Sequence, residues 1–204
     1  MLATAVRFGP KSHGRRVTDD ELKHAQFRLG YDYEVISGRL YVSPAPNPDH
    51  DFVERHICEQ IAHYRREHPE IVGYVTGRAR VFVLDEPSTT APEPDVAVYR
   101  DVPTDDWRDV EPFIVGEVLR GVDIDKDLFR NVELYWRVPT IQEYWVFDIR
   151  EEPRRPTMIV HRRARNGWSV SELPPDGIYE TPLLPGLKLR ISPPASRPPS
   201  KRRR

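Results

Sequence analysis

Cysteine is almost missing from this chain of 204 residues: Cys58 stands alone. One thiol cannot build a disulfide framework or a cysteine-ligated zinc site. Equally absent is any apolar run near the roughly eighteen residues that a membrane helix needs. The opening segment, MLATAVRFGPKSHGRR, holds no apolar core of the kind that directs secretion. A reducing cytoplasm, with no membrane partner, is the expected setting. Neither charge is in excess: 31 Lys and Arg face 32 Asp and Glu, a net charge of −1. Proteins that hold nucleic acid by bulk electrostatics are strongly basic, so any such contact would have to come from local patches. No glycine-rich phosphate loop, nucleophile elbow or dinucleotide fingerprint occurs, and no organic cofactor is expected.

What is present reads as one domain with tails. Residues 1–16 are expected to form a flexible leader, 17–191 the folded domain, and 192–204 (SPPASRPPSKRRR from Ser192) a disordered Pro- and Arg-rich tail. Thr18-Asp19-Asp20-Glu21 has capping-box spacing, and Leu22, Ala25, Gln26 and Leu29 follow at helical intervals up to Gly30. Tyr31–Ile36 and Arg39–Val42 flank Ser37-Gly38, a hairpin signal. The Pro-rich stretch 43–50 predicts a loop, followed by a helix over 50–68 with Val53, Ile57 and Ile61 on one side. One or two strands are expected over 72–84, a loop over 85–91, and strands at 95–99, 113–119, 143–149, 157–162 and 168–170. A helix capped by Asp123 or Asp125 and ending near Arg137 interrupts them. The pattern predicts an α/β fold: a mixed β-sheet flanked by helices, preceded by a helix and a hairpin.

The chemistry centres on two acidic residues set in apolar strands. Asp95 opens the strand of PEPDVAVY and Glu117 lies inside FIVGEVL. A carboxylate buried without a partner costs several kcal/mol, so each needs a cation or a hydrogen-bonding partner. If the two strands are neighbours, both carboxylates converge on one Mg²⁺, a hard ion that prefers oxygen donors. Such an ion activates water and polarises a phosphate. A plain salt bridge or a helix cap is the alternative, and two carboxylates acting without metal, as in glycosidases, is a further one.

Four ordered blocks, YEVISGRLYVSPAPNPDH, PEPDVAVY, PFIVGEVL and KDLFRNVELYWRVPTIQEYWVFD, resemble the signature of the Uma2 family over residues 17 to 190. These restriction-endonuclease-like proteins are placed in the PD-(D/E)XK nuclease superfamily. The resemblance implies a restriction-endonuclease-like fold, a Mg²⁺ or Mn²⁺ cofactor, DNA as substrate and a homodimer. By it, Asp95 and Glu117 match the metal-binding acids, Glu34 the acidic hairpin residue and His50 the histidine that closes the Pro-rich loop. Two positions depart. Arg120 stands where the family has serine, and Asn131 where it has a lysine that stabilises transition-state charge. Lys126 and Arg130, one turn apart, are the candidate replacements. Should neither serve, the expected function is a weakened nuclease fold that binds DNA or protein.

Other features have plainer readings. Asp123, Asp125 and Asp127 have calcium-loop spacing without the loop's glycine and terminal glutamate, so helix capping is expected. His56, His63 and His68 lack metal-pair spacing and are expected at the surface. Arg150, Arg154, Arg155, Arg162, Arg163 and Arg165, with the tail Lys201–Arg204, form the densest basic stretch, readable either as a phosphate-contacting patch or as a solvated basic surface.

Overall fold

Short strands and a small separate core begin the chain. The structure, a computed structural model, describes residues 6–83, 89–121 and 126–194. Strand β1 (Arg7–Phe8) is joined through helix α1 (Asp19–His24) to β2 (Gln26–Phe27), its parallel partner. The capping box forms as expected: Thr18 Oγ1 accepts the Glu21 amide at 3.2 Å, and Glu21 accepts the Thr18 amide at 3.1 Å. The helix nevertheless stops at His24, because pairing with β1 draws Gln26 and Phe27 into extended backbone. Leu29, expected on the inner helical face, is 93% exposed. The described part of the expected leader is folded, not free: Phe8 is fully buried against Tyr33, Val35 and Leu40. Residues 1–5 and 195–204 lie outside the described residues.

The hairpin β3 (Tyr31–Ile36) and β4 (Arg39–Pro44) turns at Ser37 (φ 51°) and Gly38 (φ 67°). Two left-handed residues match the right-handed twist of paired strands, and Thr90 Oγ1 accepts the Ser37 amide at 2.9 Å, holding the non-glycine residue there. Strand β4 runs on to Pro44, so the Pro-rich loop shortens to 45–47. Helix α2 (Pro48–Glu67) starts earlier than predicted, with Asn47 accepting the His50 amide and Pro48 at the first helical position.

The main sheet comprises β5 (Tyr74–Thr76), β6 (Val96–Tyr99), β7 (Ile114–Leu119), β8 (Glu143–Asp148), β9 (Thr157–Ala164) and β10 (Gly167–Leu173), in spatial order β10-β9-β8-β7-β6-β5. Only β7 and β8 run parallel, so the sheet is mixed, as expected. Within 72–83 only β5 is a strand; Val81 and Val83 instead donate single backbone bonds to the Pro92 and Thr90 carbonyls. Between β7 and β8 the helix expected to start at Asp123 or Asp125 has its cap outside the described residues. Its described part is a π-helical turn, Lys126–Arg130, running into α3 (Asn131–Trp136). A last short pair, β11 (Ile178–Tyr179) with β12 (Leu189–Arg190), was not predicted.

Each sheet face buries its own core. Val53, Ile57 and Ile61 of α2, with Tyr179, Leu184 and Leu189 from the C-terminal segment, cover Val96, Ile114, Val118, Trp145 and Phe147. On the other face Tyr135 of α3 packs with Val115, Leu119, Tyr144 and Val146. Full burial of each such side chain contributes about 1.5–3 kcal/mol. Helices on both faces bring their first turns to the same end of the sheet, where β6 begins and β7 ends.

Candidate active site

That end of the sheet is set by the register of two strands. Val96 pairs with Gly116 at the end of the β6–β7 ladder, so Asp95 and Glu117 each lie one residue beyond that last pair. Pro94 has no amide to continue the ladder, and the Asp95 side chain takes over: its Oδ2 accepts the Val118 amide at 2.7 Å. The same oxygen lies 3.0 Å from His50 Nε2. Burial pushes the Asp95 carboxyl up, but the bond to His50, the charges of His50 and Lys126 and the Val118 amide outweigh it, and the group is held below its ordinary value. Glu117 goes the other way. Burial drives it well above the carboxylate range; Lys126 opposes this, while Asp127, Asp95 and Glu34 add repulsion.

Helix α2 completes this cluster. His50 and Glu54 are one turn apart, with His50 Nδ1 3.7 Å from Glu54 Oε2. Both of these atoms are buried without a hydrogen bond. Donor atoms of His50, Glu54 and Asp95 all fall within 4.8 Å of one another, a spacing that one ion could bridge. Burial, then the Asp95 charge, raises the Glu54 carboxyl to about 7, with Arg78 opposing. Gly77 makes the room: a Cβ there would sit 2.6 Å from Glu54 Oε1 and 2.8 Å from the Asp95 carbonyl. Glu54 was not singled out in the sequence, although its four-residue spacing from His50 was a usable signal.

The cations come from the far side. Lys126 Nζ lies 3.4 Å from Glu34 Oε1 and 3.8 Å from Asp127 Oδ1. Burial disfavours its charge, but Glu117, Glu34, Asp127 and Asp95 outweigh that and hold its ammonium well above the ordinary lysine range. Arg130 donates to Glu34 Oε2 at 3.1 Å and stacks 5.1 Å from the Tyr41 ring centroid. Glu34 also accepts the Glu93 amide at 3.2 Å, so both its oxygens are engaged. Asn131, at the position of the expected lysine, donates to Glu117 Oε1 at 2.9 Å and to Asp127 Oδ1 at 3.4 Å. Tyr135 adds a 3.0 Å hydroxyl bond to the same Glu117 oxygen. Tyr144, donating to the Asp127 carbonyl at 2.8 Å, fixes the π-helical turn that carries Lys126.

Together these groups line one cleft. Asp32, Glu34, Glu93, Asp95, Glu117 and Asp127 supply its acids, and His50, Arg78, Arg120 and Lys126 its basic groups. Its accessible volume of about 40 Å³ admits an ion with a few waters, not a nucleotide. Five of the six expected site residues, Glu34, His50, Asp95, Glu117 and Lys126, line it; Arg130 stands behind Glu34. Arg120 braces the rim by donating to the Pro44 and Ala45 carbonyls.

The expected basic patch is largely spent on structure. Arg150 pairs with Asp148, Arg154 with Asp49 and Arg155 with Asp176 and Glu152. Arg162 donates to buried Glu143, and Arg163 donates to the carbonyls of Ile141, Tyr135, Trp136 and Val138. His63 is exposed as expected, whereas His56 is half-buried and contacts the Arg190 carbonyl at 3.0 Å. Asp123, Asp125 and Lys201–Arg204 lie outside the described residues. No described helix is long and apolar enough to cross a membrane.

Residues 19–192 match the model of the Uma2 family, described as "putative restriction endonuclease". The fold is similar to the crystal structure of a protein from Anabaena variabilis titled a "putative nuclease belonging to DUF820". The TM-score is 0.61 at 18% identity, covering 86% of this chain and 95% of that one. No curated protein gives a significant match.

Proposed function

The chain belongs to the Uma2 family, and on that premise we propose that it is a divalent-metal-dependent endonuclease hydrolysing DNA phosphodiester bonds. The observation that carries the reading is one cleft lined by Asp95, Glu117, His50 and Lys126, with Glu54 of α2 grouped with His50 and Asp95 at metal-bridging distance. The donor set fits a hard ion. It is rich in carboxylate oxygen with a single imidazole, which suits Mg²⁺ or Mn²⁺. Two of its donor atoms, Glu54 Oε2 and His50 Nδ1, are buried without a hydrogen bond. Asp95 and Glu117 are the principal ligands in this reading, with Glu54 and His50 beside Asp95. The ion, when bound, supplies Lewis acidity toward the scissile phosphate and lowers the pKa of the attacking water.

The protein's own side chains do the rest. Lys126, held protonated by its acidic neighbours, cannot serve as a base; it acts as a fixed positive charge toward the phosphorane-like transition state. Glu34 and Asp127 orient Lys126, and Arg130 orients Glu34. Asn131 and Tyr135 fix one oxygen of Glu117 and so aim the other. Lys126 thereby takes the charge role of the family lysine, which favours catalysis over the alternative of a weakened binding module. Cutting both strands of a duplex takes two such sites, so the reading includes a homodimer. Plasmid nicking with Mg²⁺ or Mn²⁺, compared among wild type, Asp95→Asn and Glu117→Gln and with EDTA added, tests the proposal. Loss of cutting in both variants and in EDTA is expected; equal cutting in all would refute it.

A further inference from the structure

The cleft is poor in net positive charge for an enzyme that must hold a polyanion: six carboxylates line it against Arg78, Arg120, Lys126 and His50. Most arginines of the basic stretch beyond β8 are paired with acids or backbone carbonyls. Grip on the phosphate backbone has to come from elsewhere.

A second concavity answers this need. It lies on the N-terminal unit and brings Arg7, Lys11 and Arg28 together with Ser12 and no carboxylate. All three cations are exposed, and none has an acidic partner among the described residues. The floor is firm. Phe8 between them is fully buried, its carbonyl accepts the Arg28 amide at 2.9 Å, and the Arg28 guanidinium lies 5.5 Å from the Tyr31 ring centroid. The concavity lies on the other face of the hairpin from the cleft, since Phe8 packs on Tyr33 and Val35 while Asp32 and Glu34 line the cleft, but the two are close along the chain. Arg28 is four residues from the cleft residue Asp32, a span of at most about 14 Å. Between them the Gly30 carbonyl accepts the Ala45 amide at 3.0 Å, and Arg120, itself on the cleft wall, donates to the Ala45 carbonyl.

We infer that Arg7, Lys11 and Arg28 form a phosphate-binding subsite that holds the DNA backbone a short distance from the bond being cut. The inference rests on the nuclease reading only for the identity of the polyanion. Three cations without an acidic partner, a polar hydroxyl and no opposing acid suit a phosphodiester, and the short span from Arg28 to Asp32 around the edge of the hairpin lets one duplex reach both.

The test is fluorescence anisotropy of the full chain on a labelled 20-base-pair duplex, over a range of salt with EDTA present. Compared are wild type, the triple variant Arg7→Ala/Lys11→Ala/Arg28→Ala, the charge-keeping Arg7→Lys/Arg28→Lys, and Glu117→Gln. The triple variant should bind at least tenfold more weakly, and its slope of log K against log salt should flatten by about one for each cation removed. The charge-keeping and Glu117→Gln variants should keep the wild-type slope. Circular dichroism checks that the triple variant is folded. A folded triple variant with wild-type affinity and slope overturns the subsite. So does a triple variant that has lost its fold while the charge-keeping variant also loses the slope. If wild type binds with the predicted slope yet never cuts when Mg²⁺ or Mn²⁺ replaces EDTA, the subsite stands and the nuclease reading falls. If wild type binds no DNA in EDTA the subsite falls, and if it binds none with Mg²⁺ or Mn²⁺ either, the nuclease reading falls with it.

Discussion

Asp95 and Glu117 each lie one residue beyond Val96 and Gly116, the last pair of the β6–β7 ladder, yet the two carboxyls are pushed in opposite directions, Asp95 below its ordinary value and Glu117 well above. The cause is the company each keeps. Asp95 receives an amide proton and a histidine, whereas Glu117 shares its burial with Asp127, Asp95 and Glu34. A divalent ion would relieve that asymmetry. Asp95→Asn and Glu117→Gln should each lower the cutting rate at least roughly a hundredfold, about 3 kcal/mol of transition-state stabilisation. Single-turnover kinetics at saturating DNA checks this. Full rates in both variants would exclude the pair from the chemistry.

The two candidate cations should separate cleanly. Lys126 lines the cleft and Arg130 does not. Lys126→Ala should cost about 10²–10³ in turnover with little change in KM. Arg130→Ala removes only a support of Glu34 and should cost about tenfold. Lys126→Arg should recover part of the loss. The reverse ranking of the two alanine variants would move the role to Arg130.

Stability should depend on pH in a direction that a cation reverses. Glu54 holds its proton up to about 7 in the folded chain against an ordinary 4.5, and Asp32 and Glu93 are raised by burial as well. A carboxyl that binds its proton more tightly when folded stabilises the fold at low pH. That contribution is lost as pH rises from about 4.5 through 7. The metal-free protein should therefore lose on the order of 1–2 kcal/mol across that window after solvent screening. Glu54→Gln should lose less. Mn²⁺ should raise the melting temperature more at pH 8 than at pH 5, since the ligands must be deprotonated to bind it. Calorimetry at both values decides; equal Mn²⁺ effects at the two would speak against these carboxylates as ligands.

Space at Gly77 should matter as much as charge. A Cβ 2.6 Å from Glu54 Oε1 and 2.8 Å from the Asp95 carbonyl forces the carboxylate or the strand aside. Gly77→Ala should cost about 1–3 kcal/mol and abolish the Mn²⁺-induced shift in melting temperature. An unchanged shift would show that Glu54 stands clear of the ion.

Some of this was readable from the sequence and some was not, for reasons that differ residue by residue. Asp95 and Glu117 were legible because an acid in an apolar strand demands a partner, and alternation fixed the strands that carry them. The hairpin at Ser37-Gly38 was legible because left-handed turn residues are a local property. Helix α1 was overextended because its end depends on β1, a long-range partner that spacing does not reveal. Glu54 escaped notice because its meaning comes from Gly77 and Asp95, 23 and 41 residues away in the chain. The basic stretch is ambiguous in sequence for the same reason: density of arginine says nothing of what each arginine meets.

Arg162 shows this most sharply and gives the last prediction. Glu143 is fully buried, and its oxygens accept from Arg162 Nε at 2.8 Å, Trp145 Nε1 at 2.9 Å, Tyr179 Oη at 2.9 Å and Thr181 Oγ1 at 2.7 Å. These bonds tie β8 and β9 to the C-terminal segment, on the strand next to the one carrying Glu117. Removing the cation leaves a buried carboxylate short of its strongest donor. Arg162→Ala should cost roughly 2–3 kcal/mol, less than the 3–5 kcal/mol of a wholly buried pair because the Arg162 side chain is 46% exposed. If Arg162 is structural, urea unfolding of Arg162→Ala should shift by that amount while affinity for duplex DNA and its salt slope stay at wild-type values. A variant of wild-type stability that binds DNA more weakly would return Arg162 to the phosphate-contacting surface.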